Sequence, residues 1–489
     1  MILGKRLAMA LPPVLFLTAC AVGPDFVPPT PAPGALDPLV SFNPKTESAE
    51  EPSNDWWELF DDPVLERLVN EAFQANADLA AAESNLSSAR AILDAARSGS
   101  YPRTVAETGS VYGRDVTTDE ILEIDGNKPQ TTWLFDDILD VSYELDLFGR
   151  VRRSIEASRA DTEAAAAGRD ALRITVAAET ARAYAQICTT GEEITVAQHS
   201  LDIVSREAQI TEDRNVAGAN SRFEVVRAQG FVALVKSDIP PLLGQRRAAL
   251  FELTALLGRT PSHAPTEALA CNRPPQLTAL IPVGDGAGLL KRRPDVREAE
   301  RRLAAATARI GVATADLYPR ISLSGFYGGA STELSGLSAE RGLAWGLGPT
   351  ISWTFPIQAE PRARVRKAKA DALASLATFD SVVLRALKET EQTLSIYSAE
   401  ITHREDLIDA QAKAREAFNL AHAQFSAGSL SNLDLLISEQ TLINEDAAVA
   451  KSNAVLAQDQ IAVFKALGGG WKTLKSLPVA QTVGGGTGG

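Results

Sequence analysis

Thr131-Thr132-Trp133-Leu134-Phe135-Asp136-Asp137-Ile138-Leu139-Asp140-Val141-Ser142-Tyr143-Glu144-Leu145-Asp146-Leu147-Phe148-Gly149-Arg150 is the stretch that decides the fold. From Phe135 to Leu147 the odd positions are mostly apolar: Phe135, Leu139, Val141, Tyr143, Leu145 and Leu147, with Asp137 the exception. The even positions are mostly acidic or small: Asp136, Asp140, Ser142, Glu144 and Asp146. A period of two with unlike faces predicts a strand between two unlike environments. At Phe148-Gly149-Arg150 the period changes. The chain then runs to about Val216 without a proline, rich in the good helix formers Ala, Glu, Arg and Leu. Roughly 65 residues at 1.5 Å each make a rod of about 100 Å, far longer than the ~30 Å hydrocarbon core of a membrane.

The stretch returns later in the chain. Val141-Ser142-Tyr143 is answered by Ile351-Ser352-Trp353, 210 positions on (351 − 141). The same offset relates Glu179-Thr180 to Glu389-Thr390, Gly218 to Gly428, and Leu257-Gly258 to Leu467-Gly468. Tyr101-Pro102-Arg103 is answered by Tyr318-Pro319-Arg320 at an offset of 217 (318 − 101). A repeating unit near 200 residues is too long for a solenoid and reads as a tandem duplication. Each unit is expected to run short helix, strand, strand, long helix, shorter helix.

The expected organisation follows. Residues 1–19 read as a signal peptide, 20–54 as an extended tether, 55–261 as the first repeat, 262–284 as a linker, 285–470 as the second repeat, and 471–489 as a disordered tail. In the first repeat a helix is expected over 64–97, strands over about 104–114 and 131–147, and helices over about 148–216 and 222–257. In the second, a helix is expected over about 285–316, strands over about 321–330 and 345–356, and helices over about 361–426 and 432–467. Pro240-Pro241 should kink the first returning helix; the repeat has Ala450-Lys451 there.

From Trp345 to Phe355, apolar and aromatic residues alternate with small polar ones, the pattern of a membrane β-barrel strand. One chain supplies four such strands. Four strands leave two open edges, which hydrocarbon does not tolerate, and barrels of this class need at least about eight. Copies must therefore join to close the wall. The long helices agree. Ile187, Thr190, Ile194, Ala197, Leu201, Val204 and Ala208 form a seam, and Val196, Ile203 and Ile210 a second row. The second half repeats the seam as Leu407, Ala410, Ala414, Ala417 and Ala421.

The N-terminus and the charge set the setting. Lys5-Arg6 precede an apolar run to Leu17 and then Leu17-Thr18-Ala19-Cys20, an export signal that resembles a bacterial lipoprotein cleavage box. By that resemblance Cys20 becomes the first mature residue and carries lipid. Ala21 follows it in place of an aspartate, which fits release to the outer membrane. No apolar run of 18 residues follows the signal, so no transmembrane helix is expected. The exported compartment is oxidising, which allows Cys188 and Cys271 to pair; two free thiols are the other reading. A net charge of −14 disfavours nucleic acid as a partner.

Trp56-Trp57, Asp78-Leu79, Leu145-Asp146-Leu147-Phe148-Gly149-Arg150, Arg292-Arg293-Pro294-Asp295-Val296 and the turn from Gly428 to Asp434 together resemble the TolC-like outer membrane factors. The lipobox and Gly23-Pro24-Asp25 are similar to the lipoprotein (NodT-type) subgroup that serves RND efflux pumps. The resemblance covers nearly all of residues 17–470. It implies a mainly α protein with membrane β: a homotrimer with a twelve-stranded outer-membrane barrel, four strands per chain, continued by a twelve-helix periplasmic α-barrel. It further implies an exit duct for drugs or other small toxic compounds, docked at its helical tips by a periplasmic adaptor and an inner-membrane RND pump.

The tips are expected at 217–221 and 427–431, each with a glycine to stop one helix (Gly218, Gly428) and a serine to start the next (Ser221, Ser431). Ser221-Arg222-Phe223-Glu224 reads as a capping box, and Ser431-Asn432-Leu433-Asp434 as a near version. By the resemblance, Asp434 and Glu224 are candidates for an acidic periplasmic gate, and the glycines and serines for adaptor contact. Ile437 stands where some relatives carry a second aspartate. Asp136, Asp140, Glu144 and Asp146 would make the lumen acidic, and carboxylate rings favour cations. The four histidines, His199, His263, His403 and His422, are scattered. No nucleophile, phosphate loop or metal-ligand spacing stands out, so neither catalysis, metal nor cofactor is expected. A type I protein-secretion duct and a non-conducting envelope lipoprotein are the competing functions.

Overall fold

The computed structural model describes residues 21–30, 33–114, 131–277, 279–337 and 343–469. The predicted signal peptide, Cys20 and the predicted tail from 471 lie outside the described residues.

One compact unit holds Ser88–Thr162 and Arg301–Leu376, with the N-terminal residues up to Pro28. Its centre is a four-stranded antiparallel sheet in the order β2-β3-β5-β6, where β2 is Arg103–Arg114, β3 Thr131–Leu145, β5 Arg320–Ser331 and β6 Leu343–Ser352. Each repeat contributes one hairpin, and the two hairpins join through β3 and β5. β6 stops at Ser352, earlier than the alternation suggests; Trp353 to Phe355 lie beyond the strand. Proline at 356 lacks the N–H that a ladder needs.

The second unit holds Pro29–Ser87, Glu163–Glu300 and the chain from Ala377. A two-residue parallel bridge, β1 (Glu47–Ser48) with β4 (Ile281–Pro282), pins the residues before the first repeat to those before the second. The segment expected as an extended tether is anchored at several points from residue 35 onward. Ala35 sits among Leu290, Val296 and Phe379, and the Val40 and Ser41 N–H groups donate to Glu391, each at 2.8 Å. The core gathers around Trp56, fully buried and stacked on Phe464 at 4.9 Å between ring centroids.

Helices are α1 (Pro63–Ala75), α2 (Ala77–Ser98), α3 (Arg150–Val216), α4 (Arg222–Ser237), α5 (Ile239–Leu256), α6 (Gly286–Arg292), α7 (Pro294–Ala315), α8 (Ala359–Ser426) and α9 (Asn432–Leu467). Their starts repeat as the sequence does. α8 begins 209 positions after α3 (359 − 150), α9 begins 210 after α4 (432 − 222), and α7 begins 217 after α2 (294 − 77). The two single helices expected at 64–97 and 285–316 are each broken once. Asn76 breaks the first: its side-chain oxygen accepts from the Asp78 and Leu79 N–H groups and so starts α2 afresh. Arg293, followed by Pro294, breaks the second. As expected, the returning helix of the first repeat is interrupted at Asp238, ahead of Pro240-Pro241, whereas α9 runs unbroken for 36 residues. Beside that interruption is a cavity of about 460 Å³, lined among others by Val196, Ser200, Pro241 and Ile443.

The Arg-Arg-Pro-Asp motif proves to be a clamp on a helix end. Arg292 donates to the Leu467 carbonyl at 2.8 Å and Arg293 to the Ala466 carbonyl at 2.8 Å, satisfying the orphan carbonyls of α9. Arg293 also grips Asp295 at 2.8 Å and Glu389 at 3.0 Å. Of the predicted first seam, Ile187, Thr190, Ile194 and Val204 are buried. Of the second, Ala414 and Ala421 are buried, while Ala410 and Ala417 remain exposed.

Candidate functional site

The strand register sorts the sheet into two faces, because residues directly opposite one another in an antiparallel pair share a face. Leu139 pairs with Tyr327, which pairs with Trp345; Tyr143 pairs with Leu323; Leu145 pairs with Ile321, which pairs with Ile351. Trp133 and Phe135 stack on this same face at 5.9 Å. Here the side chains stay open: Trp345 is 75% exposed and Leu347 72%. The opposite face carries Asp136 beside Gly109 and Ala330, Asp140 beside Val105 and Phe326, and Ser142 beside Ser324. The first face is aromatic and aliphatic and left exposed, while the second mixes acids and small residues with Val105, Val111 and Phe326; an exposed apolar face inverts the soluble pattern and matches a membrane barrel.

The four acids expected on that second face are not equivalent. Glu144 is held by a bidentate bond from Arg150, at 2.9 and 2.5 Å. Asp146 receives the Val151 and Arg152 N–H groups, each at 2.9 Å, and so caps α3. Asp136, Asp140 and Glu144 lie on the strand itself and Asp146 just past its end; among the described residues, Asp136 and Asp140 have no arginine partner. The Leu-Asp-Leu-Phe-Gly-Arg motif is thus the joint between β3 and α3, and its charges are spent on the joint.

The residues just after Cys20 are strapped to the same joint. The Val22 N–H donates to the Phe148 carbonyl at 3.1 Å. Arg153, only 6% exposed at its side chain, donates to the Val22 and Gly23 carbonyls at 3.3 Å and pairs with Asp25 at 2.7 Å. Gly149 has φ +80° and lies so close to Ala21 that a Cβ there would stand 2.6 Å from the Ala21 Cα. Gly-Pro-Asp after the lipobox therefore reads as a fastening, a role its sequence alone does not reveal.

The two tips are twins. At the end of α3, Gly218 has φ +78°, its N–H donates to the Asn215 carbonyl, and the Ala219 N–H reaches back to Arg214 at 2.8 Å. At the end of α8, Gly428 has φ +75°, its N–H donates to Phe425, and Ser429 reaches back to Gln424 at 2.9 Å. Both are six-to-one closures on a left-handed glycine. Ser221 then caps α4, its hydroxyl accepting from the Glu224 N–H while its own N–H donates to the Glu224 carboxylate, a complete capping box. Ser431 caps α9, accepting from the Asp434 N–H at 3.2 Å, while its hydroxyl donates to the Asp434 carboxylate at 2.6 Å. Glu224 and Asp434 are both committed to caps, and Asp434 is also exposed.

Cys188 of α3 and Cys271 stand 4.8 Å apart at Cα and are joined by a disulfide. Among the described residues no group of three or more His, Cys, Asp and Glu side chains is placed to hold a metal ion. No described helix is long and apolar enough to cross a membrane. What sequence reading missed is a set of carboxyls inside the helical unit. Burial pushes Glu192 and Glu193 upward from the usual carboxylate range, and it drives Asp459 to about 6, with Glu400 adding repulsion. Glu439 on α9 belongs to the same set. Its signal was present: Leu435, Glu439 and Leu442 fall on one helical row, and all three are buried.

A family model described as outer membrane efflux protein matches residues 68–259 and 288–469. Nodulation protein T of Rhizobium leguminosarum bv. viciae is 29% identical over 474 residues, covering 96% of this chain and 94% of that one. Outer membrane protein OprJ of Pseudomonas aeruginosa is 30% identical, covering 95% and 96%. Among solved structures, the outer-membrane channel OprN superposes with a TM-score of 0.85 at 34% identity, covering 92% of this chain and 100% of that one. The chain belongs to the outer membrane efflux protein family.

Proposed function

We propose that three copies of this chain form one exit duct, through which small toxic compounds leave the periplasm for the exterior. The observation that carries this reading is the sheet. Its outward face is apolar, and β2 and β6 are edges with no partner strand among the described residues. Such edges are not stable in hydrocarbon, so copies must pair them; three copies give twelve strands, above the minimum of about eight. Cys20 carries lipid, and the strap formed by Arg153 holds the residues after it at the strand–helix joint.

The duct itself is passive. An inner-membrane RND pump supplies the driving force and a periplasmic adaptor seats on the tips at Gly218, Ser221, Gly428 and Ser431. Asp434, with Glu224, narrows the periplasmic entrance. In the barrel, Asp136 and Asp140 set a preference for cations, whereas Arg150 and the α3 N-terminus compensate Glu144 and Asp146. Asp140→Asn should lower the ratio of cation to anion permeability, and Glu144→Gln should leave it nearly unchanged. Reversal potentials in a salt gradient check this. The reading as a whole is tested by oligomer mass in detergent together with conductance in planar bilayers. A trimer that passes current supports it; a water-soluble monomer that passes none overturns it.

A further inference from the structure

Behind the second tip, three helices bring charge together where none is needed for folding. Glu439 of α9 is 1% exposed within its own chain, and both carboxylate oxygens are buried with no hydrogen-bond partner among the described residues. Glu207 of α3 is the neighbouring charge that acts on it. Glu207 in turn lies 3.4 Å from Nε2 of His422 on α8, a contact that is an ion pair whenever the imidazole is protonated. The other charged groups along this seam are already engaged. Arg415 of α8 pairs with Asp446 of α9 at 2.9 Å, Arg214 of α3 lies 4.2 Å over the Phe425 ring, and Glu212 of α3 receives Gln229 of α4 at 3.3 Å. Among the described residues of this chain, no cation pairs with Glu439. An ionised carboxylate buried without donors or a counter-charge is strongly disfavoured, and breaking the local packing to reach water relieves it.

We infer that the α8–α9 tip is a proton-operated latch: Glu439 must carry a proton for α9 to stay packed on α3 and α8, and losing that proton lets the first turns of α9 part from them. One turn further on, Ile443 lines the cavity of about 460 Å³, so α9 has slack on that side. Glu439 lies five positions past Asp434, so the latch sits directly behind the entrance assigned above, and its effect on current rests on that assignment.

The sign follows from linkage. Burial first, then repulsion from Glu207, raises Glu439 in the packed state from 4.5 to about 7. A parted helix would return it to water and to the lower value. The two states are equally protonated below the lower value, so Glu439 does not discriminate between them there. As pH rises through the interval, the parted state gains, by on the order of a hundredfold, and the gain levels off above about 7.

The test uses the full-length assembled protein at steps from pH 5 to 8, wild type beside Glu439→Gln, which keeps the shape and cannot ionise. Two readouts are taken: open probability in planar bilayers, and hydrogen exchange over residues 432–443 in detergent, corrected for its intrinsic pH dependence. In the wild type, both should rise with pH by tenfold or more, and Glu439→Gln should stay at the low-pH level throughout. Glu207→Gln should move the midpoint to lower pH. Exchange that titrates while the bilayer stays silent would retain the latch and count against the duct. A Glu439→Gln protein that titrates like the wild type, or a wild type flat across the range in both readouts, would overturn the latch. Migration as the wild-type oligomer shows that each variant is folded.

Discussion

The hairpin that joins α3 to α4 and the one that joins α8 to α9 are the same device with different wiring. Glycine answers glycine (Gly218, Gly428), serine answers serine (Ser221, Ser431), and Val225 answers Leu435, each pair 210 apart. The hydrogen bonds that close the two turns correspond one for one. Behind the turns the correspondence ends. Glu439 answers Gln229, which is exposed and donates to Glu212; His422 answers Glu212; and Glu207 answers Ala417. At the position of Gln229, the second hairpin buries Glu439, with Glu207 of α3 as its neighbouring charge. The returning helices differ too, since Pro240-Pro241 has no counterpart in α9. Duplicated backbone geometry survives because caps and left-handed glycines are local necessities. Side chains behind them can diverge, and divergence is how one of two equal tips becomes the responsive one.

Thermal unfolding of the helices in detergent tells the two hairpins apart. The largest effect is expected behind the turns. Leu435 is 1% exposed and packs with Ala421 and Phe425, so Leu435→Ala should cost roughly 2–5 kcal/mol. Val225, fully buried in the first hairpin, has less to lose; Val225→Ala should cost roughly 1–3 kcal/mol. Equal losses would mean the two seams are not differently packed. Next come the glycines. A Cβ at Gly218 or Gly428 meets nothing within 4 Å, so only the left-handed backbone resists it. Each change to alanine should cost about 1–2 kcal/mol, equally at both tips. A larger loss at Gly428 would reveal strain particular to the second turn. Smallest are the serines. Ser221→Ala and Ser431→Ala should each cost about 1 kcal/mol, with Ser221→Ala the larger because Glu224 also loses its place in the box.

Much of this was legible in the residues. The alternation in β3 and β6, the proline-free run of α3, the offsets of 210 and 217, and both caps at the tips are patterns in the sequence, and the elements follow them, although β3 ends at Leu145 and β6 at Ser352, short of the alternation. Errors came where a single side chain overrides a run. Asn76 looks like one more polar residue in a helix until its oxygen is seen to start a new one. For Glu144 and Asp146 the alternation gives a face but not the partners, because Arg150, Val151 and Arg152 lie past the change of period. The segment after residue 33 reads as a tether because it continues the proline-rich stretch of Pro24, Pro28, Pro29, Pro31 and Pro33, but Ala35 and Leu39 find apolar surface from far along the chain.

By itself the sequence determined the architecture. Periods of two and of three to four are properties of neighbours along the chain, and an unclosed set of four apolar-faced strands already demands further copies. Tertiary structure alone decided which carboxyls are free. Whether Glu439 or Asp459 can ionise depends on water and on charges brought in by other helices, Glu207 and Glu400, each supplied from a distant part of the chain. Electrostatic energy follows distance in space and exposure to solvent, and neither is written in the order of residues.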